Sequence, residues 1–321
     1  MARAWRIEYE GACYHLLSRG NERREIFVGD DDRVLFLDTL GECCERFELE
    51  AFAYVLMGNH YHLLVRTQRA NLSRALHWFS GTYTRRFNNG HGRSGHLFQG
   101  RFKSMLVEND AYMLQLSCYI HRNPLRAGLV ERLADYPWSS YLAYAYGRRA
   151  PEWLSTEPIL SQFKVANPKQ AYRQKLQRYA DEEARLWEDF RHGFILGSKE
   201  FVTSIRSRFL PKEPVEAVPQ QRRLARDQEL PDMIQAAAQR IGYDLSLSLA
   251  GRRLSGVEKG KRDLLIYWTW KAGVFTNTEI GKHFSLTYSA VSHIVQSMKV
   301  KFACDRELRS LFEGINSQYK L

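Results

Sequence analysis

Met57-Gly58-Asn59-His60-Tyr61-His62-Leu63-Leu64-Val65 places two histidines two residues apart inside an apolar run. Gly58-Asn59, flanked by such runs, reads as the turn of a tight hairpin. His60 and His62 then open its second strand. Side chains on a strand alternate faces, so the two imidazoles point the same way and Tyr61 points the other. That arrangement suits two ligands of one divalent metal. On spacing alone, His-X-His equally describes polar residues on a wet sheet face. The apolar setting favours ligands, because buried imidazoles otherwise each need a hydrogen-bond partner.

Outward from the hairpin, Glu50 to Met57 and Asn59 to Arg66 are its two strands. Cys13 to Ser18 alternates enough to be an earlier strand. Asp30-Asp31-Asp32 reads as an N-cap cluster for a helix to about Phe47. Asn71-Leu72-Ser73 caps a helix ended by Asn88-Asn89-Gly90, and Leu97 to Val107 reads as a further strand. Asn109-Asp110 caps a helix that stops at Pro124. The order β-α-β-β-α-β-α, with its middle strands too close for a crossover, predicts an antiparallel α+β sheet with helices packed on one face.

Beyond this domain, residues 1–148, Lys169 to Leu186 and Glu200 to Phe209 are predicted helices of an extension spanning 149–210. Four of the nine prolines fall between Pro211 and Pro231, which marks 211–231 as a linker. Residues 232–321 read as an all-α domain. In it Arg262 to Lys271 is one helix, Thr276 caps Asn277 to Phe284, and a short turn leads to a helix from Tyr288 to Lys299. A short helix, a tight turn and a helix opening with Ser289, Ser292 and His293 describe a helix-turn-helix reader of the major groove.

The 321 residues carry 47 lysines and arginines against 36 acids, a formal charge of +11. This balance favours a polyanionic partner. The charge is concentrated. From Arg66 to Val107 there are eight basic residues and no acidic one. Arg66, Arg69, Arg74, Arg85, Arg86, Arg101 and Lys103 are candidate DNA contacts, and Trp78, Phe79, Tyr83, Phe87, Phe98 and Phe102 lie among them as surfaces for base stacking. No run of about 18 apolar residues occurs, so no membrane span is predicted, and the N-terminus lacks the apolar core of a signal peptide. A cytoplasmic, nucleoid-associated protein is expected. The five cysteines form no disulfide framework and lack zinc-ribbon spacing.

A metal and a polyanion leave the nucleophile open. Tyr119-Ile120-His121-Arg122-Asn123-Pro124 supplies the leading candidate, because i and i+4 share a helix face. Tyr119 and Asn123 then project together, the phenol as nucleophile and the amide carbonyl as a third metal ligand. Tyr61, Tyr83 and Tyr112 are rivals by residue type. The proline next door pushes Asn123 towards the helix end.

Three ordered motifs, Met57 to Val65, Gly95-His96-Leu97-Phe98-Gln99-Gly100-Arg101-Phe102-Lys103 and Tyr119 to Val130, resemble those of the REP-associated tyrosine transposases. These are single-tyrosine members of the HUH endonuclease class. The resemblance covers roughly residues 7 to 145 and departs at Gly58, where the family usually has proline. It implies a ferredoxin-like fold, His60 and His62 as metal ligands, Tyr119 as nucleophile, and Asn123 at a helix-borne polar ligand position. It implies magnesium or manganese, although imidazole suits manganese better. The implied substrate is single-stranded DNA folded into a palindromic hairpin, cut through a 5′-phosphotyrosine intermediate; for the C-terminal domain, flanking duplex DNA and the hairpin stem are the two candidate partners. The C-terminal helices resemble the DNA-binding domain of the bacterial replication initiator, mainly through Glu279-Ile280-Gly281-Lys282-His283-Phe284. Monomer and homodimer remain open. The alternatives are a catalytically silent, domesticated palindrome-binding protein and a zinc hydrolase built on the same histidines.

Overall fold

A computed structural model describes residues 5–108, 110–179, 186, 190–191, 194–211, 218, 220–221, 224, 230–249, 254, 256–271 and 275–316. The expected cap at Asn109 and most of the expected linker lie outside these residues. The chain forms two compact units, Arg6–Phe209 and Met1–Trp5 with Leu210–Leu321.

In the larger unit, β1 (Cys13–Arg19), α1 (Asp30–Phe47), β2 (Leu49–Leu56), β3 (His60–Thr67), α2 (Leu72–Gly90) and β4 (Lys103–Val107) are followed by α3 (Asp110–Arg126). The strands lie in the order β2-β3-β1-β4, all antiparallel, the split βαβ arrangement of a ferredoxin-like sheet. The α+β class is the expected one, but its layering differs. Phe36 of α1 and Phe79 of α2 pack on Tyr61 at ring-centroid distances of 4.9 and 6.2 Å. Tyr119 of α3 lies 6.0 Å from His62, the next residue along β3. Neighbouring strand residues face opposite ways, so helices cover both faces of the sheet, not one. The apolar run of β3 requires this, since Leu63 and Leu64 are both buried.

Local signals were redistributed in four places. Gly29, not the aspartate cluster, is the N-cap of α1, and the Asp32 carboxylate accepts from the backbone N–H groups of Val28 and Gly29. Asn71 spends its amide on Phe47 O, while the Glu8 carboxylate accepts from the backbone N–H and hydroxyl of Ser73 in the first turn of α2. The strand expected from Leu97 begins only at Lys103, because Gly95 (φ 90°) and Gly100 (φ 71°) turn the chain left-handed on the way in. Pro124 lies inside α3, not at its end. It cannot donate to Ile120 O, and the Asn123 side chain donates there instead at 3.3 Å, and to Tyr119 O at 3.0 Å. The side chain of Asn123 thereby repairs the break made by the proline.

The extension belongs to the same unit and is not purely helical. Its short helices α5 (Glu157–Leu160) and α6 (Pro168–Arg178), with α4 (Tyr141–Tyr146) at the end of the first domain, pack with α3. Ile195–Leu196 then pairs parallel with β4, and Phe190–Arg191 pairs with it in turn, which lengthens the sheet at its β4 edge.

The smaller unit contains helices Leu230–Arg240, Ser246–Leu249, Gly256–Lys271, Asn277–His283, Tyr288–Cys304 and Arg306–Asn316 around Trp268, Ile280, Val291 and Phe312. Thr276 and Glu279 form a reciprocal capping box. The turn between Asn277–His283 and Tyr288–Cys304 doubles back so closely that a Cβ on Gly281 would stand 2.5 Å from Leu286 O. Gly281→Ala is therefore expected to destabilise this unit by about 2 kcal/mol, the usual range for overpacking against a fixed backbone. Urea denaturation of the two proteins measures the difference.

Candidate active site

Register places the site. In β1 and β3, Leu17 is opposite His62 and Arg19 is opposite His60, and in β4 Lys103 is opposite Leu17. Directly opposed residues share a face. His15, Arg19, His60, His62 and Lys103 therefore lie on the face that α3 covers. Tyr119 presents its ring edge-on to two of them, 6.0 Å from His62 and 6.1 Å from His15 between centroids. Two helical turns further along α3, the Arg126 guanidinium sits 4.8 Å from the Tyr119 ring centroid.

Both expected ligand histidines have their Nδ1 atoms engaged. His60 Nδ1 donates to Asn59 Oδ1 at 2.7 Å, which leaves Nε2 with a lone pair. His62 Nδ1 lies 2.8 Å from His15 Nε2. The tautomer with the proton on His62 Nδ1 again leaves Nε2 bare. Such outer hydrogen bonds commonly fix the tautomer and orientation of ligating imidazoles. Burial pushes His62 well below its ordinary pKa, helped by His15 and His60, and burial with the nearby Arg19 charge lowers His60. Neutral rings at pH 7 are the form that ligates. Burial takes His15 down to about 4, and its Nδ1 has no hydrogen-bond partner. An unpaired buried N–H is costly. The His15–His62 contact carries that cost.

Among the described residues no group of three His, Cys, Asp or Glu side chains gathers at a metal position, so a centre on His60 and His62 needs a donor of another kind. Asn123 has its amide nitrogen committed to α3, which leaves Oδ1. The rival tyrosines are placed elsewhere: Tyr61 is buried on the opposite face and Tyr83 donates to Ile26 O at 2.6 Å, while Tyr112 packs against the core.

The basic stretch divides in three dimensions. Arg66 pairs with Glu50, Arg69 with Glu48, and Arg86 forms a two-pronged contact with Glu42 at 2.7 and 2.9 Å. Acids from α1, β2 and the turn between them thus pair with three cations of a run that has no acid of its own. Phe79, Tyr83, Phe87, Phe98 and Phe102 are core, which removes them as stacking surfaces, and only Trp78 of that set is half-exposed. Arg74, Arg85, Arg101 and Lys103 remain exposed. In the smaller unit, Ser289 and His293 are exposed and Ser292 half-exposed on the helix whose inner side carries Val291 and Val295.

His15, Arg19 and Arg126 were missed by sequence reading. Cys13-Tyr14-His15-Leu16 holds a histidine at strand alternation, but only the β1–β3 register brings it beside His62.

A helix-borne tyrosine thus faces paired histidines on one face of the sheet, with an arginine against its ring. Residues 8–123 match the family model described as "Transposase IS200 like". The chain is 26% identical over 117 residues to the "Putative REP-associated tyrosine transposase" of Haemophilus influenzae, a match covering 33% of this chain and 66% of that relative. A solved structure of a REP-associated tyrosine transposase bound to a REP hairpin aligns with 48% of this chain and 92% of its own, at 18% identity and a TM-score of 0.40. No helix among the described residues is long and apolar enough to cross a membrane.

Proposed function

We propose that the larger unit is a metal-dependent endonuclease and strand transferase for single-stranded, hairpin-forming DNA, with Tyr119 as nucleophile. The observation that carries this reading is the meeting of Tyr119, His62 and Arg126 on one face within one chain. The Tyr119 oxygen attacks phosphorus in line with the bond to the 3′ oxygen. That bond breaks, the 3′ oxygen leaves and takes up a proton, and the 5′ phosphate becomes an ester of the tyrosine. A later 3′-hydroxyl reverses the exchange, so joining needs no external energy source. Arg19, Lys103 and Arg126 supply fixed positive charge for the phosphate oxygens. A divalent cation, manganese or magnesium, held by His60, His62 and Asn123 Oδ1 would supply Lewis-acid polarisation of the phosphate.

In the smaller unit, the helix opening at Tyr288 is the proposed major-groove reader, with Ser289, Ser292 and His293 as its contacts to duplex beside the hairpin. The test of the whole reading is denaturing electrophoresis of the protein with a labelled 5′-extended palindromic strand and manganese. A protein–DNA adduct stable to denaturant is expected. Tight hairpin binding with no cleavage under manganese or magnesium would instead favour a silent, palindrome-binding protein.

His15 is a positioning residue in this scheme. His15→Phe keeps the volume but leaves His62 Nδ1 without its partner. Manganese affinity, measured by calorimetry, is expected to fall about ten- to a hundredfold, as when other outer hydrogen bonds to ligating imidazoles are removed. An unchanged affinity would leave His15 a core residue only.

A further inference from the structure

Three arginines of the larger unit have no acidic partner among the described residues and converge on one feature. Arg74 and Arg85 of α2 and Arg46 of the last turn of α1 line an open groove of about 720 Å³, to which His77 also contributes and no Asp or Glu does. The Arg46 guanidinium lies 5.3 Å from the Trp78 ring centroid, and Arg46 and Arg74 each lie 5.7 Å from that of Phe47. The rings hold Arg46 and Arg74 in place, but like charges gathered without counter-charge repel. Their neighbours Arg69 and Arg86 show the other outcome, since each found a glutamate.

Gly81 is the second observation. It stands in the middle of α2, where glycine costs about 1 kcal/mol against alanine. Its φ is not left-handed, and a Cβ there would meet nothing within 4 Å. Neither backbone conformation nor packing asks for glycine. Residues 74, 77, 78, 81 and 85 form one helical stripe, so the missing side chain opens the middle of a basic, aromatic-lined channel. Glycine at such a place permits close approach of a ligand backbone.

We propose that this groove is a second DNA site, which holds an unpaired stretch of the strand with phosphates at Arg46, Arg74 and Arg85 and a base against Trp78. It rests on the DNA-processing reading given above but uses none of the Tyr119 machinery. That machinery is on the other face of the sheet, since α1 and α2 cover the Tyr61 face. An indole recessed between two helices accepts an unpaired base and excludes one stacked inside a duplex.

The test uses the full chain, fluorescence anisotropy, and three probes: oligo(dT) of about 16 nucleotides, a duplex of equal length, and a hairpin without extensions. Arg46→Ala/Arg74→Ala/Arg85→Ala is expected to reduce the slope of log affinity against log salt for oligo(dT) by about 2, at roughly 0.7 for each phosphate no longer neutralised. Gly81→Leu, which fills the groove without changing charge and suits a helix, is expected to lower oligo(dT) affinity about tenfold with no fall in melting temperature. Trp78→Ala is expected to do the same, with recovery in Trp78→Phe. In Gly81→Leu, hairpin affinity and adduct yield stay at wild-type values. Wild-type oligo(dT) affinity in both the triple variant and Gly81→Leu would overturn the groove. Equal losses on the duplex would overturn its assignment to unpaired DNA. A wild-type protein that binds none of the three probes would overturn the DNA reading itself, and the groove with it.

Discussion

Tyr119→Phe will form no denaturant-resistant adduct with a hairpin strand, and cleavage will fall by about 10⁴-fold or more, the scale on which removal of a nucleophile acts. The substitution deletes one oxygen and keeps the ring. The edge contacts to His15 and His62 and the Arg126 guanidinium over the ring face all survive it. Hairpin affinity and melting temperature are therefore expected to remain within error of wild type, which separates chemistry from binding and folding. Cleavage that persists without an adduct would assign the attack to water and remove the tyrosine from the mechanism. Tyr119 and His62 meet within a single chain. Mixing Tyr119→Phe with His60→Ala is accordingly expected to restore nothing, whereas recovered activity would mean that sites are assembled between chains.

The local part of this centre was readable from the sequence. Strand alternation put His60 and His62 on one side and Tyr61 on the other, and helical spacing put Tyr119 and Asn123 on one stripe of α3. The remainder depends on pairings between distant segments. His15 joins His62 through register across 47 residues, which no local pattern encodes. The same distance misled the reading of charge. A stretch without acids looked uniformly free for phosphates, yet Glu42 of α1, Glu48 at the turn after it and Glu50 of β2 arrive to occupy Arg86, Arg69 and Arg66. The aromatics of α2 followed their helical period into the core, where period and not composition decides. Pro124 signalled a helix end and was overridden, because Asn123 supplied the donor that proline lacks. Gly58 has no left-handed φ, so the hairpin turn does not depend on glycine.

His121 shows what the extension is for, and its removal carries the largest stability effect expected in this unit. The side chain is fully buried on α3, two residues from Tyr119, and faces away from the site. Its Nδ1 lies 2.7 Å from the hydroxyl of Tyr172 on α6, and its Nε2 lies 2.6 Å from Ser140 Oγ. Ser140 Oγ in turn accepts from the backbone N–H of Tyr54 on β2 at 2.9 Å, and Ser117 reaches the same Tyr172 hydroxyl at 3.0 Å. One imidazole thus ties the helix that carries Tyr119 to the sheet and to the extension. His121→Leu strips a partner from two buried hydroxyls, at roughly 1–3 kcal/mol each. A total near 3 kcal/mol would lower the melting temperature by about 6–12 °C for a unit of this size. The pH dependence distinguishes this network from simple packing. Burial holds His121 down at about 3, against 6.5 when unfolded. Between these values the unfolded chain binds the extra proton, so the stabilisation is complete above about pH 6.5 and is lost as pH falls towards 3. From pH 7.5 to pH 5 the wild-type protein should lose about 2 kcal/mol from this residue alone, at 1.36 kcal/mol per pH unit below 6.5. His121→Leu has nothing to protonate, so its deficit against wild type should shrink by that amount at pH 5. Parallel urea titrations at the two pH values read the difference directly. A deficit that stays constant with pH would mean that His121 enters the core without being held neutral there.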